Sequence, residues 1–139
     1  MNTNAHYAAT VLRLSLGVMY LAHGLLKLFV FTPEGTSGFF ASIGLPAFFG
    51  PLTMAVEIGA GLALILGVYS RWIAAALIPV LLGSIVLVHG ASGWLFSNQG
   101  GGWEYPAFLI AASVVQFLLG DGAFALKRSK PDVAAAQAA

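Results

Sequence analysis

The sequence predicts an all-α membrane protein, a four-transmembrane-helix antiparallel bundle with both termini cytoplasmic. Three observations predict it. The 139 residues are 59% hydrophobic and only 8% charged, which leaves too little polar surface to keep a globule of this size in water. The apolar residues gather in four runs, each near the ~20 residues that cross a bilayer. Arg13 lies at the start of the first run, Arg71 between the second and third, and Lys127, Arg128 and Lys130 after the fourth, whereas 32–47 and 90–104 hold no Lys or Arg. Basic residues stay on the cytoplasmic side, so both chain ends are placed there.

The length suits one membrane domain over 1–126, with spans at about 8–31, 48–68, 72–88 and 105–120. No basic segment precedes the first run, and its apolar stretch outlasts a signal-peptide core, so it reads as a retained span. Its Arg13, His23 and Lys27 are expensive in lipid and should face protein. The stretch FTPEGTSGFFASIGLPA, 31–47, is rich in Gly, Pro, Ser and Thr and reads as a loop, with a short interfacial helix near 39–43. The second run carries Glu57 near its middle and Gly59, Gly61 and Gly67, residues that let helices approach closely. Tyr69, Arg71 and Trp72 form an interfacial girdle before the third run, where Pro79 is tolerable because neighbouring helices can satisfy the freed carbonyl.

Trp94, Phe96, Trp103 and Tyr105 suit a loop at headgroup level, and Gly100, Gly101 and Gly102 read as wet backbone that should accept Gly101→Ala. Pro106 fits the first turn of the fourth run, where no donor is missed. Residues 127–139 are basic and then low in complexity, and read as a disordered cytoplasmic tail.

Composition also excludes. A net charge of +1 provides no field for nucleic acid. The chain has no Cys, so it carries no thiolate metal site, no disulfide exchange and no covalently attached c-type haem. Two histidines invite a bis-imidazole haem, but His23 stands ~15 Å above Arg13 and His89 ~27 Å above Arg71 at the helical rise, too far apart in depth for one iron. No metal is expected.

On a helical wheel, Arg13, Gly17, Tyr20, His23, Gly24 and Lys27 share one side of the first span. Lys27 lies 14 residues after Arg13, and Glu57 lies 14 residues before Arg71. Both therefore sit ~21 Å above their basic anchors, and antiparallel spans bring them level as an ion pair. The open alternatives are a structural pin or a pair that also touches a ligand or proton path; for His23 they are a hydrogen bond to a backbone carbonyl or a hydroxyl, or ligand or proton handling. His89 and Glu104 flank the outer loop and define a weaker outer-leaflet polar site.

The residues also carry a resemblance. Arg13 with Gly17, HGLLK at His23–Lys27, GLP at Gly44–Pro46, VEIGAG at Val56–Gly61, LGVYSR at Leu66–Arg71 and LGDGAFAL at Leu119–Leu126 resemble, in that order, the DoxX family of small bacterial four-helix membrane proteins. The family usually closes the last motif with an acidic residue; Lys127 stands there instead. The resemblance implies a multi-pass protein of the bacterial inner membrane, whose relatives include subunits named for quinol oxidase and for thiosulfate and quinone oxidoreduction. It makes the expected role an accessory or anchor subunit of a membrane redox system, with a quinone-like or other small amphipathic molecule bound near Tyr20, His23, Lys27 and Glu57. Electrons would come from a redox partner protein or from the ligand. The alternatives are an oligomeric small-solute transporter, which four spans would require to be a homo-oligomer, and a ligand-free scaffold. Whether the chain turns anything over is left open.

Overall fold

The structure, a computed structural model, describes residues 3–129, and its regular elements there are all helical apart from one isolated bridge between Val68 and Lys127. Helix α1 is Thr3–Phe29, α2 is Pro33–Ser42, α3 is Phe49–Leu66, α4 is Ser70–Ser84 and α5 is Glu104–Leu119. A wider π turn over Ile85–His89 and a tight turn over Gly90–Ser92 extend α4. Three helical stretches, Thr3–Phe29, Phe49–Leu66 and Ser70–Ser92, are long and apolar enough to cross a membrane. Helix α5 is apolar but has 16 residues, or ~24 Å at the helical rise against a hydrocarbon core of ~30 Å.

The segment expected as a loop with a helical turn near 39–43 is instead a ten-residue helix, α2. Its start explains it. Thr32 caps the helix, its Oγ1 accepting from Gly35 N at 3.2 Å, Pro33 follows at a position needing no donor, and Glu34 meets the positive end of the helix dipole. Three local signals thus outweigh a composition that reads as loop.

Helix α1 packs mainly on α3 and α4 mainly on α5, while α1–α5 and α3–α4 contacts complete the cluster. Gly17 meets Gly61 and Ile65, and Gly24 meets Ile58 and Glu57, so α1 and α3 run in opposite directions. The approach is close: a Cβ at Gly61 would lie 2.6 Å from Leu21 N, and one at Gly17 2.8 Å from Ile65 Cγ1. Lipid tails remove the hydrophobic drive between helices, so tight contact of small residues has to hold this pair. On the other side Arg71 Nε donates to Phe117 O at 2.7 Å and Trp72 meets the Phe117 ring edge-on at 5.4 Å, which sets the start of α4 against the end of α5. Leu16, Tyr20, Leu64, Ala74, Leu77, Leu81, Leu109 and Ala112 fill the centre. Val18, Phe29, Leu62, Val86, Phe108 and Leu118 are exposed on the outside, where lipid would cover them.

The chain folds back after α5. Leu126 N donates to Leu66 O at 3.1 Å, Lys127 N to Gly67 O at 3.0 Å, and Tyr69 N to Lys127 O at 2.8 Å. Asp121 accepts from Arg71 N at 3.2 Å and from Ser129 N and Oγ at 2.6 and 2.8 Å. Residues 127–129 of the expected tail are therefore tied to the α3–α4 turn, and 130–139 lie outside the described residues.

The outer loop is also more built than its composition suggests. Trp103 N donates to Gly93 O at 3.0 Å, Gly102 N to Leu95 O at 3.0 Å and Gly101 N to Asn98 O at 2.8 Å. Gly100 and Gly101 have φ of +87° and +70°, and a Cβ on buried Gly102 would collide with the carbonyls of Trp94 and Leu95. The expectation of wet, tolerant glycines is corrected accordingly. Gly101→Ala is expected to cost about 1–2 kcal/mol for its left-handed backbone, and Gly102→Ala more, because backbone must move. The yield of monodisperse protein in detergent, compared among the two variants and the parent, measures this; equal yields would show that the loop is not held as described.

Candidate functional site

The ion pair expected from the depth arithmetic is present. Lys27 lies in the last turn of α1, Glu57 lies in mid-α3, and Gly24 lets the two backbones close in, since a Cβ there would stand 3.2 Å from Glu57 Cβ. Lys27 Nζ donates to both carboxylate oxygens of Glu57, at 2.9 and 2.7 Å, with the side chains 20% and 9% exposed. Two charges so placed need each other, because neither has enough water to be solvated alone.

His23, one turn before Lys27, faces α5 rather than α3. Its Nδ1 lies 2.9 Å from Met19 O, and its ring stacks on Tyr105 with centroids 6.3 Å apart. A carbonyl can only accept, so Nδ1 carries the proton and a neutral ring presents Nε2 as an acceptor. Nearby opens a groove of about 870 Å³ lined by His23, Trp94, Phe96, Glu104, Tyr105 and Phe108, together with Ala107. Its walls are aromatic and its polar groups few, the usual make-up of a small-molecule site, and its volume falls in the ~300–1,000 Å³ range of such sites. Glu104 Oε1 accepts from Phe96 N at 2.7 Å and so fixes one wall.

The structure separates the residues that the wheel grouped. Tyr20 points into the core at 2% exposure, while His23 lines the groove and Lys27 joins Glu57. Among the described residues the Tyr20 hydroxyl has no hydrogen-bond partner. His89 and Glu104 have different partners: His89 Nδ1 is 2.8 Å from Gly101 O, whereas Glu104 holds Phe96 N. Each braces the outer loop from its own side.

Three interior residues were not singled out as site residues by the sequence. Ser113 and Gln116 are both fully buried on α5, and the available signal was a hydroxyl and an amide three residues apart inside an apolar span. Arg13, read as a boundary marker, is 2% exposed. Its Nη1 donates to Leu64 O and Ile65 O at 3.1 Å each, and its Nη2 to Ala123 O at 3.3 Å. It thus adds donors to carbonyls at the end of α3, where the helical ladder runs out and Leu64 O otherwise accepts from Gly67 N at 3.2 Å. Gly67 leaves room for it, since a Cβ there would strike the guanidinium. Among the described residues no group of three or more His, Cys, Asp or Glu is placed to hold a metal ion.

Over 126 residues the chain is 29% identical to "Putative oxidoreductase CatD" of Bacillus subtilis (strain 168), an alignment spanning 91% of this chain and 89% of that protein. No solved structure matches. The DoxX family model matches residues 8–90, a stretch that takes in α1 to α4, Arg13, the groove histidine and the Lys27–Glu57 pair, and stops short of α5 and LGDGAFAL. Covering more than half of its length, that match makes this chain a helical membrane protein of the DoxX family.

Proposed function

We propose that the chain is an accessory or anchor subunit of a membrane redox system, binding a quinone-like or other small amphipathic molecule in the groove between α1 and α5. It would cross the bacterial inner membrane four times as an antiparallel bundle with both termini in the cytoplasm. The observation that carries the reading is the groove itself, where an acceptor nitrogen of His23 stands over an aromatic floor beside Glu104. The relative described as an oxidoreductase supports the redox assignment. A bound quinone-like head would supply the electron chemistry. His23 Nε2 would accept a hydrogen bond from its hydroxyl form, Tyr105 would lie against the ring, and Trp94, Phe96 and Phe108 would keep water off it. With no Cys in the chain, electrons would come from a redox partner protein or from the ligand itself.

Purified protein, extracted with organic solvent, should release a quinone, and a short-chain quinone should rebind to the stripped protein. His23→Ala should weaken rebinding about tenfold, the loss of one good hydrogen bond. A ligand-free protein that binds no quinone, or binding indifferent to His23→Ala, would overturn the reading; movement of a solute into liposomes would replace it with transport by a homo-oligomer. Topology has its own test. A reporter fused at the chain end should work only if it is of the cytoplasmic type, and one inserted within 97–99 only if it is of the periplasmic type; the reverse pattern would invert the orientation.

A further inference from the structure

The groove beside His23 has two ends, and they differ. Trp94 and Phe96 come from the loop at 93–103, whereas Tyr105 and Phe108 come from the first turns of α5 and His23 from the last third of α1. The loop therefore forms the end nearer the membrane surface, and α5 carries the other end toward the bilayer centre.

Depth follows from the length of α5. Arg71 donates to Phe117 O and Leu118 O at 2.7 and 3.4 Å, so the end of α5 is level with the girdle of Tyr69, Arg71 and Trp72. In a bilayer the 16 residues of α5 rise ~24 Å from that girdle and stop ~6 Å short of the far edge of a ~30 Å hydrocarbon core. Glu104 and the chain leading to it thus lie just beneath the headgroups. Non-helical backbone is tolerated at that depth only where protein meets its polar groups. Here protein meets them: Asn98 N and Gly102 N donate to Leu95 O, Trp103 N to Gly93 O and Glu104 N to Trp94 O, each at 3.0 Å, and Phe96 N donates to Glu104 Oε1 at 2.7 Å. Outward, Trp94, Leu95 and Phe96 are each more than half exposed and apolar. Ser97, Asn98 and Gln99 at the tip are exposed and polar, suited to the headgroups. On α5, Phe108 is 70% exposed, and the exposed Ala111 and Val115 continue its apolar face toward mid-membrane.

We propose that the groove is a lateral port, open to the acyl chains of the leaflet on the loop's side and closed to water by the loop. Its occupant is a lipid-borne molecule. A polar head meets His23 Nε2, and an apolar chain leaves past Phe108 along α5 into the bilayer. Where the head lies rests on the groove reading given above, but the port and the path of the chain do not require the head to be a quinone.

The test reads Trp94 in protein reconstituted into liposomes. The chain has three Trp, and the emission lost in Trp94→Phe is that of Trp94. Phospholipids brominated on the upper part of the acyl chain should quench that emission by more than half, while iodide in the buffer leaves it nearly intact. Should Trp94→Phe fail to fold, Trp72→Phe combined with Trp103→Phe leaves Trp94 as the sole emitter. Iodide quenching as strong as that by bromine would overturn the port. The path of the chain is read with two probes that share one benzoquinone head, one with a ten-carbon tail and one with none. Phe108→Ala should weaken binding of the tailed probe about fivefold, through lost contacts to the tail, and leave the tail-less probe unchanged. His23→Ala should weaken both. Equal effects of Phe108→Ala on the two probes would overturn the path. If neither probe binds, the quinone reading falls, and the quenching pattern alone decides the port.

Discussion

Lys27→Met and Glu57→Gln should each lower the thermal stability of the detergent-solubilised protein by about 3–5 kcal/mol, and the double change should recover much of that loss. The reason is asymmetry. The bidentate contact at 2.9 and 2.7 Å gains only part of what burying two charges costs, but removing one partner leaves the other with nothing. The cycle is read as the difference between the double change and the summed single ones. Simple addition would show that the two residues are not coupled, whatever their distance. If the double variant regains stability but not quinone binding, the pair serves the ligand as well as the fold.

The second large effect is expected at Arg13. Arg13→Met removes one donor from each of three carbonyls, on Leu64, Ile65 and Ala123, of which Leu64 O keeps Gly67 N and Ala123 O keeps Thr10 Oγ1; it should cost about 3 kcal/mol or more, since bonds from charged groups are worth ~1.5–3 kcal/mol each. Arg13→Lys should rescue little, because one ammonium cannot reproduce the planar fork that serves two helix-end carbonyls on one nitrogen and the distant turn on the other. Besides a lower unfolding temperature, the segment at 120–129 should become open to proteases. Full rescue by Lys would mean that charge, rather than the directed bonds, is what matters.

These two sites also show what could be read from the chain. The Lys27–Glu57 contact was legible because depth in a membrane is a one-dimensional coordinate, and counting residues from Arg13 and Arg71 sufficed. The direction in which each polar residue of α1 points was not. A wheel places Tyr20, His23 and Lys27 within one sector, but only the positions of α3 and α5 decide that Lys27 finds Glu57, His23 finds Tyr105 and Tyr20 enters the core. Helix α2 was hidden because capping at Thr32, not composition, makes it. The loop at 93–103 was misread because the closeness of Gly102 to Leu95 depends on a turn whose partners are several residues away. Arg13 was read both as a cytoplasmic anchor and as a charge that should face protein, and it does face protein, enclosed by chain from α3 and the final turn; which carbonyls it meets was not legible, because they lie 51 to 110 residues away.

That enclosure bears on how the protein is made. Arg13 is synthesised well before any of its acceptors: Leu64 and Ile65 belong to a later helix, and Ala123 follows later still. Until α3 arrives, the guanidinium is better served by water and phosphate headgroups than by lipid tails, so the newborn first helix is held shallow. It can settle to its final depth only when α3 arrives, and the far end of its clasp closes only after translation has passed residue 123. The clasp therefore closes in chain order, on α3 first and on the turn at 123 last, and a chain cut before residue 123 would keep only the part of it that α3 supplies.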